Sequence, residues 1–128
     1  MTVARQELGR RAEALVAGAL ERAGARILER NVRVPGARGE LDLVAMDGRT
    51  LVFVEVKALR DSSRAGPERP ALAVGPRKQV KLRAMARAYL AERRGGLPSF
   101  AMIRFDVVGV RLDARGQITE WEHIHSAF

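Results

Sequence analysis

Apolar positions near the N-terminus recur every three or four residues: Ala4, Leu8, Ala12, Leu15, Val16, Ala19, Leu20 and Ala23. That spacing places them on one stripe of an amphipathic helix over about residues 3–23, ended by Gly24. The pattern then changes. Arg26 to Val34 reads as a strand stopped by Pro35-Gly36, and Glu40 to Met46 and Leu51 to Val56 read as two more. Asp47-Gly48, between the latter two, is a hairpin signal because both residue types tolerate positive φ. Residues 59–76 carry three Pro and two Gly with little periodicity, and read as a long mobile loop. A second helix begins at Pro76, a residue suited to a first turn, and runs to about Arg94 before Gly95-Gly96. Leu82, Met85, Ala86 and Tyr89 form its apolar stripe, and strands at about 101–111 and 117–124 follow. The order α-β-β-β-α-β-β over residues 1–128 predicts one α/β domain, a central mixed sheet flanked by helices. No internal repeat or heptad pattern interrupts it.

Composition narrows the class. A chain of 128 residues, 47% hydrophobic and 30% charged, can bury a core without disulfides or metals and does not read as disordered. No apolar run approaches the roughly 20 residues of a membrane span. The leading MTVARQELGRR lacks the apolar centre of a signal peptide, so the expectation is no export. The absence of cysteine removes thiolate metal sites and cysteine nucleophiles, and agrees with a cytoplasmic location. A net charge of +8 with a pI near 11.3 favours polyanionic partners through phosphate contacts. Arg supplies 20 of the 23 basic residues, however, as a codon-biased or heat-adapted source would also produce.

The strands carry the chemistry. Side chains alternate along a strand, so Glu40 and Asp42 point to one face, away from Leu41, Leu43 and Ala45. On the next strand Phe53, Glu55 and Lys57 share a face, opposite Val52, Val54 and Val56. A two-residue loop at Asp47-Gly48 sets Glu40 opposite Glu55, whereas a four-residue loop sets Asp42 opposite Glu55. Either even loop brings Asp42, Glu55 and Lys57 onto one face within about 5–8 Å; an odd loop does not. Neighbouring carboxylates repel unless protonated, paired or bridged by a cation. Mg²⁺ or Mn²⁺ takes one or two carboxylates, fills its shell with water and phosphate oxygens, and can activate a water for phosphodiester hydrolysis. Lys57 would orient that water or offset the added negative charge. The plain structural alternative is a solvated face with cross-strand ion pairs. Against it, LVFVEV is apolar on both faces, a poor setting for free charges.

Two other groups stand out. The second helix carries Arg77, Lys78, Lys81, Arg83, Arg87, Arg93 and Arg94 against one acid, Glu92, and Arg60, Arg64 and Arg69 lie in the loop before it. These could track a phosphate backbone or form an ordinary solvated face; sparse aromatics argue against a base-stacking reader. His123 and His125 share a face of the last strand, but two ligands do not make a zinc site and no third partner is evident.

The string GARGELDLVAMDGRTLVFVEVK resembles the core motif of the PD-(D/E)XK nuclease superfamily. It resembles still more closely the YraN-like bacterial family of uncharacterised proteins, related to archaeal Holliday junction resolvases. Gly9-Arg10-Arg11-Ala12-Glu13, Pro76-Arg77-Lys78-Gln79 with Tyr89-Leu90, and Arg104-Phe105-Asp106-Val107 extend the resemblance over nearly the whole chain. The resemblance implies a restriction-endonuclease-like fold. It also implies a Mg²⁺- or Mn²⁺-dependent DNA endonuclease, with branched or damaged DNA as candidate substrates. Asp42 then matches the motif's first acid, Glu55 its second and Lys57 its lysine, with Glu13 as a further metal-ligating acid on the first helix. Leu41 stands where the motif has proline, and Lys78 and Gln79 match helix positions that face the site or DNA. A homodimer would suit a junction substrate. The alternative is a non-catalytic nucleic-acid-binding protein that retains the nuclease fold.

Overall fold

The three-and-four spacing at the N-terminus produces α1, Val3–Arg22, in a computed structural model that describes residues 3–62, 69–93 and 95–128. Gly24, at φ +106°, turns the chain out of the helix, and the Ala25 N–H donates back to the Leu20 carbonyl. Then come β1 (Arg26–Arg33), β2 (Glu40–Asp47), β3 (Thr50–Arg60), α2 (Pro76–Glu92), β4 (Met102–Leu112) and β5 (Ile118–Ile124). The strands form one sheet in the order β1-β2-β3-β4-β5. β3 and β4 run parallel and every other neighbouring pair is antiparallel. A parallel pair cannot be joined by a hairpin, and the β3-to-β4 connection contains α2.

Each face of the sheet buries its own apolar set. Alternation along β3 sends Leu51 and Phe53 to one side, where they pack with Leu82, Met85, Ala86 and Tyr89 of α2. Val52 and Val54 point to the other, against Ala12, Val16, Ala17 and Leu20 of α1 and Leu43, Val108, Val110 and Leu112 of the sheet. Fully burying one such aliphatic side chain is worth about 1.5–3 kcal/mol, so the two layers hold β3 from both sides. No helix among the described residues is long and apolar enough to cross a membrane.

Three expectations change in detail. The hairpin loop is Gly48-Arg49 and not Asp47-Gly48: Asp47 pairs with Thr50, and Gly48 takes the left-handed position at φ +61°. β3 runs on to Arg60, because it pairs with β4 as far as Arg60–Leu112. The stretch read as a loop over 59–76 is therefore shorter than expected among the described residues. Its start belongs to β3, and Pro70–Ala73 forms a 3₁₀ turn with Pro70 and Ala71 buried. Gly109 of β4 admits that turn: a Cβ there would stand 2.5 Å from the Ala71 backbone nitrogen. Residues 63–68, with Arg64, and Arg94 lie outside the described residues.

Candidate active site

β2 and β3 pair from the hairpin up to Leu43–Val54, and the acids stand where that ladder ends. Beyond it the Asp42 side chain takes over from the backbone: Oδ2 accepts the Val56 N–H at 2.8 Å. Glu55, on the α2 face of β3, is only 6% exposed. Burial, then a hydrogen bond to Asp42 and the charge of that neighbour, push its pKa up to about 8 against the pull of Lys78 and Lys57. Glu55 Oε2 is buried with no hydrogen-bond partner, and Lys78 Nζ stands 3.8 Å from it. Glu13 is buried on α1, and burial followed by the charge of Asp42 raises its pKa to about 7. Arg10, one turn before it, bridges Glu13 at 3.4 Å and Glu40 at 3.2 Å.

This is an under-compensated concentration of acid. A buried oxygen without a partner is costly, and a carboxylate pair of this kind is relieved either by holding a proton or by accepting a cation. Asp42 and Glu55 suit a hard divalent ion, which needs one or two protein carboxylates and oxygen from water or phosphate for the rest. Glu13 adds negative field without closing a tight cage. Among the described residues only Asp106, His123 and His125 bring three ligand atoms within 4.8 Å of one another.

The basic residues of α2 divide by what they touch. Lys78 faces the acids. The Gln79 amide donates to the Val74 carbonyl at 3.2 Å and so ties down the start of the helix. Lys81 packs over Gly39, at the approach to β2. The Arg83 guanidinium lies over Phe105 and Phe128, 5.3 and 5.5 Å from their ring centres. Arg93 is held by Glu29 at 2.9 Å and by Glu92, which removes it from a nucleic-acid face. Arg77, Lys81, Arg83 and Arg87 are exposed.

One polar centre was not anticipated. Asp106, 1% exposed on the α1 face of β4, accepts from Arg104 Nε at 2.8 Å and from the Ser126 N–H at 3.0 Å. His123 Nε2 lies 2.8 Å from its other oxygen. Burial pushes the Asp106 carboxyl up, but hydrogen bonds from His123, Arg104 and Ser126 outweigh it and hold the pKa near 2. The two histidines therefore do have a third partner. Arg104 and Asp106 share a face of β4, while His123 stands on β5 and His125 just past its end, and only the β4–β5 register joins them.

A mixed five-stranded sheet between two helices, with acids where its second and third strands part, defines an α/β protein of restriction-endonuclease-like fold. The chain belongs to the Uncharacterised protein family UPF0102, the YraN-like family, whose model matches residues 12–110. That span includes Glu13, Asp42, Glu55, Lys57 and Asp106. The chain is 46% identical over all 128 residues to a UPF0102 protein of Syntrophotalea carbinolica, covering 96% of that protein. It is 36% identical over 123 residues to one from Dictyoglomus thermophilum, spanning 96% of this chain and 98% of the relative. With one from Streptomyces griseus it shares 46% identity over 113 residues, 88% of this chain and 89% of the other.

Proposed function

We propose that this protein is a metal-dependent endonuclease that hydrolyses phosphodiester bonds in DNA, with branched or damaged DNA as the substrates to test first. The observation that carries the reading is the buried Glu55 beside Asp42, with one oxygen in no hydrogen bond and Lys78 Nζ 3.8 Å from it. Asp42 and Glu55 would hold Mg²⁺ or Mn²⁺, with Glu13 adding negative charge beside them. Bound there, the ion supplies Lewis-acid stabilisation of the phosphoryl oxygens and a more acidic water. Lys57, whose charge already acts on Glu55, orients the attacking water and offsets the negative charge that develops on the phosphate. Lys78 holds Glu55 from the helix side. The exposed Arg77, Lys81, Arg83 and Arg87 would contact the phosphate backbone, which gives position without reading sequence.

The test is a cleavage panel of linear, nicked and four-way DNA and matched RNA, each with Mg²⁺ and with Mn²⁺. The parent chain runs beside Asp42→Asn, Glu55→Gln and Lys57→Ala. Metal-dependent cleavage lost in all three variants, with DNA binding retained, is the expected result. Sedimentation of the protein with a four-way junction reads whether a homodimer is the active form. Binding without cleavage under either metal would favour a non-catalytic nucleic-acid-binding protein, a reading supported by the basic face of α2.

A further inference from the structure

His123 and His125 are the only histidines of the chain. His123 stands on β5 and His125 in the turn just beyond its end, and their rings stack with centroids 3.8 Å apart. Asp106 reaches them from β4, and one ligand atom from each of the three lies within 4.8 Å of the others. The trio stands on the α1 face of the sheet, whereas Glu55 points to the α2 face, so the sheet lies between the trio and Glu55. It borders a cavity of about 340 Å³ lined also by Asp47, Arg104, Trp121 and, from α1, Ala19 and Leu20.

The geometry points to a second metal site, formed by the two imidazoles and one oxygen of Asp106, that takes a transition metal of the Zn²⁺, Co²⁺ or Ni²⁺ kind. Imidazole selects those ions, whereas a carboxylate pair suits Mg²⁺ and Mn²⁺. Three protein ligands with a fourth position turned to a cavity is the arrangement of an open metal site. The carboxylate is already fixed as a ligand should be: Arg104 Nε and the Ser126 N–H hold Oδ1 and leave Oδ2 directed at His123. Arg104 Nη2 also reaches Oδ2, at 3.0 Å, and turns its other contact to Asp47 at 3.1 Å. Its charge limits affinity, because the ion and the guanidinium share one carboxylate. Two adjustments accompany binding. The hydrogen bond between His123 and Asp106 gives way to bonds to the ion, and His125 turns out of the stack to aim a ring nitrogen. His125 is exposed and has the room to turn.

With two histidines and no cysteine in the chain, an untagged protein gives a clean test. The full chain is titrated with Co²⁺ by visible absorption and with Zn²⁺ by calorimetry, beside His125→Ala, His123→Ala and Glu55→Gln. The expected result is a bound ion with the visible bands of nitrogen-ligated Co²⁺, besides any ion held by the carboxylate pair. Affinity should fall roughly tenfold or more in His125→Ala and stay unchanged in Glu55→Gln. His125→Ala alters an exposed side chain, so it decides the matter even if His123→Ala does not fold. No uptake would overturn the proposal. So would uptake indifferent to His125→Ala and lost in Glu55→Gln, which would place the ion at the carboxylate pair.

Discussion

Replacing Glu55 with glutamine removes an ionisation that the folded chain resists. In the unfolded chain this carboxyl has its ordinary value of 4.5; in the fold, burial and Asp42 raise it to about 8. Between those values the native state keeps a proton that the unfolded state releases. The stability tied to that proton is therefore fully present below pH 4.5 and is lost as pH rises through 8. At about 1.4 kcal/mol per pH unit the whole interval sets a ceiling of about 5 kcal/mol. Relaxation around a group that is 6% exposed leaves an expected loss of about 2–4 kcal/mol by pH 8.5. Glutamine keeps the shape and cannot ionise, so Glu55→Gln should hold its stability where the parent weakens. The assay is urea denaturation of both proteins from pH 5 to 9 in a chelator, repeated with saturating Mn²⁺. The parent's midpoint should fall with pH in the chelator. The variant should keep only the smaller slope due to Glu13, raised to about 7. With Mn²⁺ the parent's slope should flatten, because a bound cation replaces the proton. Parallel curves for the two proteins in the chelator would refute the reasoning.

The other expectations are briefer. Asp106→Asn breaks a buried pairing with Arg104 and His123 and should cost about 3 kcal/mol. The Asp106 carboxyl is lowered from 3.8 to about 2, so its contribution is present above pH 3.8 and lost as pH falls toward 2. The gap between parent and variant in acid denaturation must therefore shrink over that range; a constant gap would count against the assignment. Gly109→Ala drives a methyl into the backbone of Ala71, 2.5 Å from its nitrogen. It should destabilise by about 1–3 kcal/mol in urea melts and speed hydrogen exchange at the Ala71 amide. Arg10→Ala removes the cation that lowers the Glu13 pKa, so the Glu13 carboxyl should titrate higher still, followed by ¹³C NMR. An unmoved titration would mean that Arg10 serves only as a surface ion pair.

Some of this was legible along the chain. Period-3.6 and period-2 patterns are local properties of helices and strands, and they placed both helices and all five strands to within a few residues. Strand parity put Asp42 and Glu55 on one face once the hairpin loop was taken as even, since alternation fixes each side chain's face within its own strand and the loop relates the two strands. The family resemblance added Glu13, which no periodicity could connect to Asp42.

Other features required the assembled molecule. The loop shifted by one residue to Gly48-Arg49 because register is settled by the packing of both sheet faces and not by the strongest turn dipeptide. β3 outran its apolar segment because β4 lies alongside it as far as Leu112. The 3₁₀ turn at Pro70–Ala73 carries no periodic signal; it exists because Gly109 leaves room for it. The raised pKa of Glu55 and Glu13 and the lowered pKa of Asp106 follow from burial and neighbours distant in sequence, for pKa is a property of environment. Local periodicity is enough to say which side chains share a face within each strand. Which acids have raised pKa values, which are paired, and that Asp106 lies beside the histidine pair follow from the assembled fold, because burial and charge act through space and not along the chain.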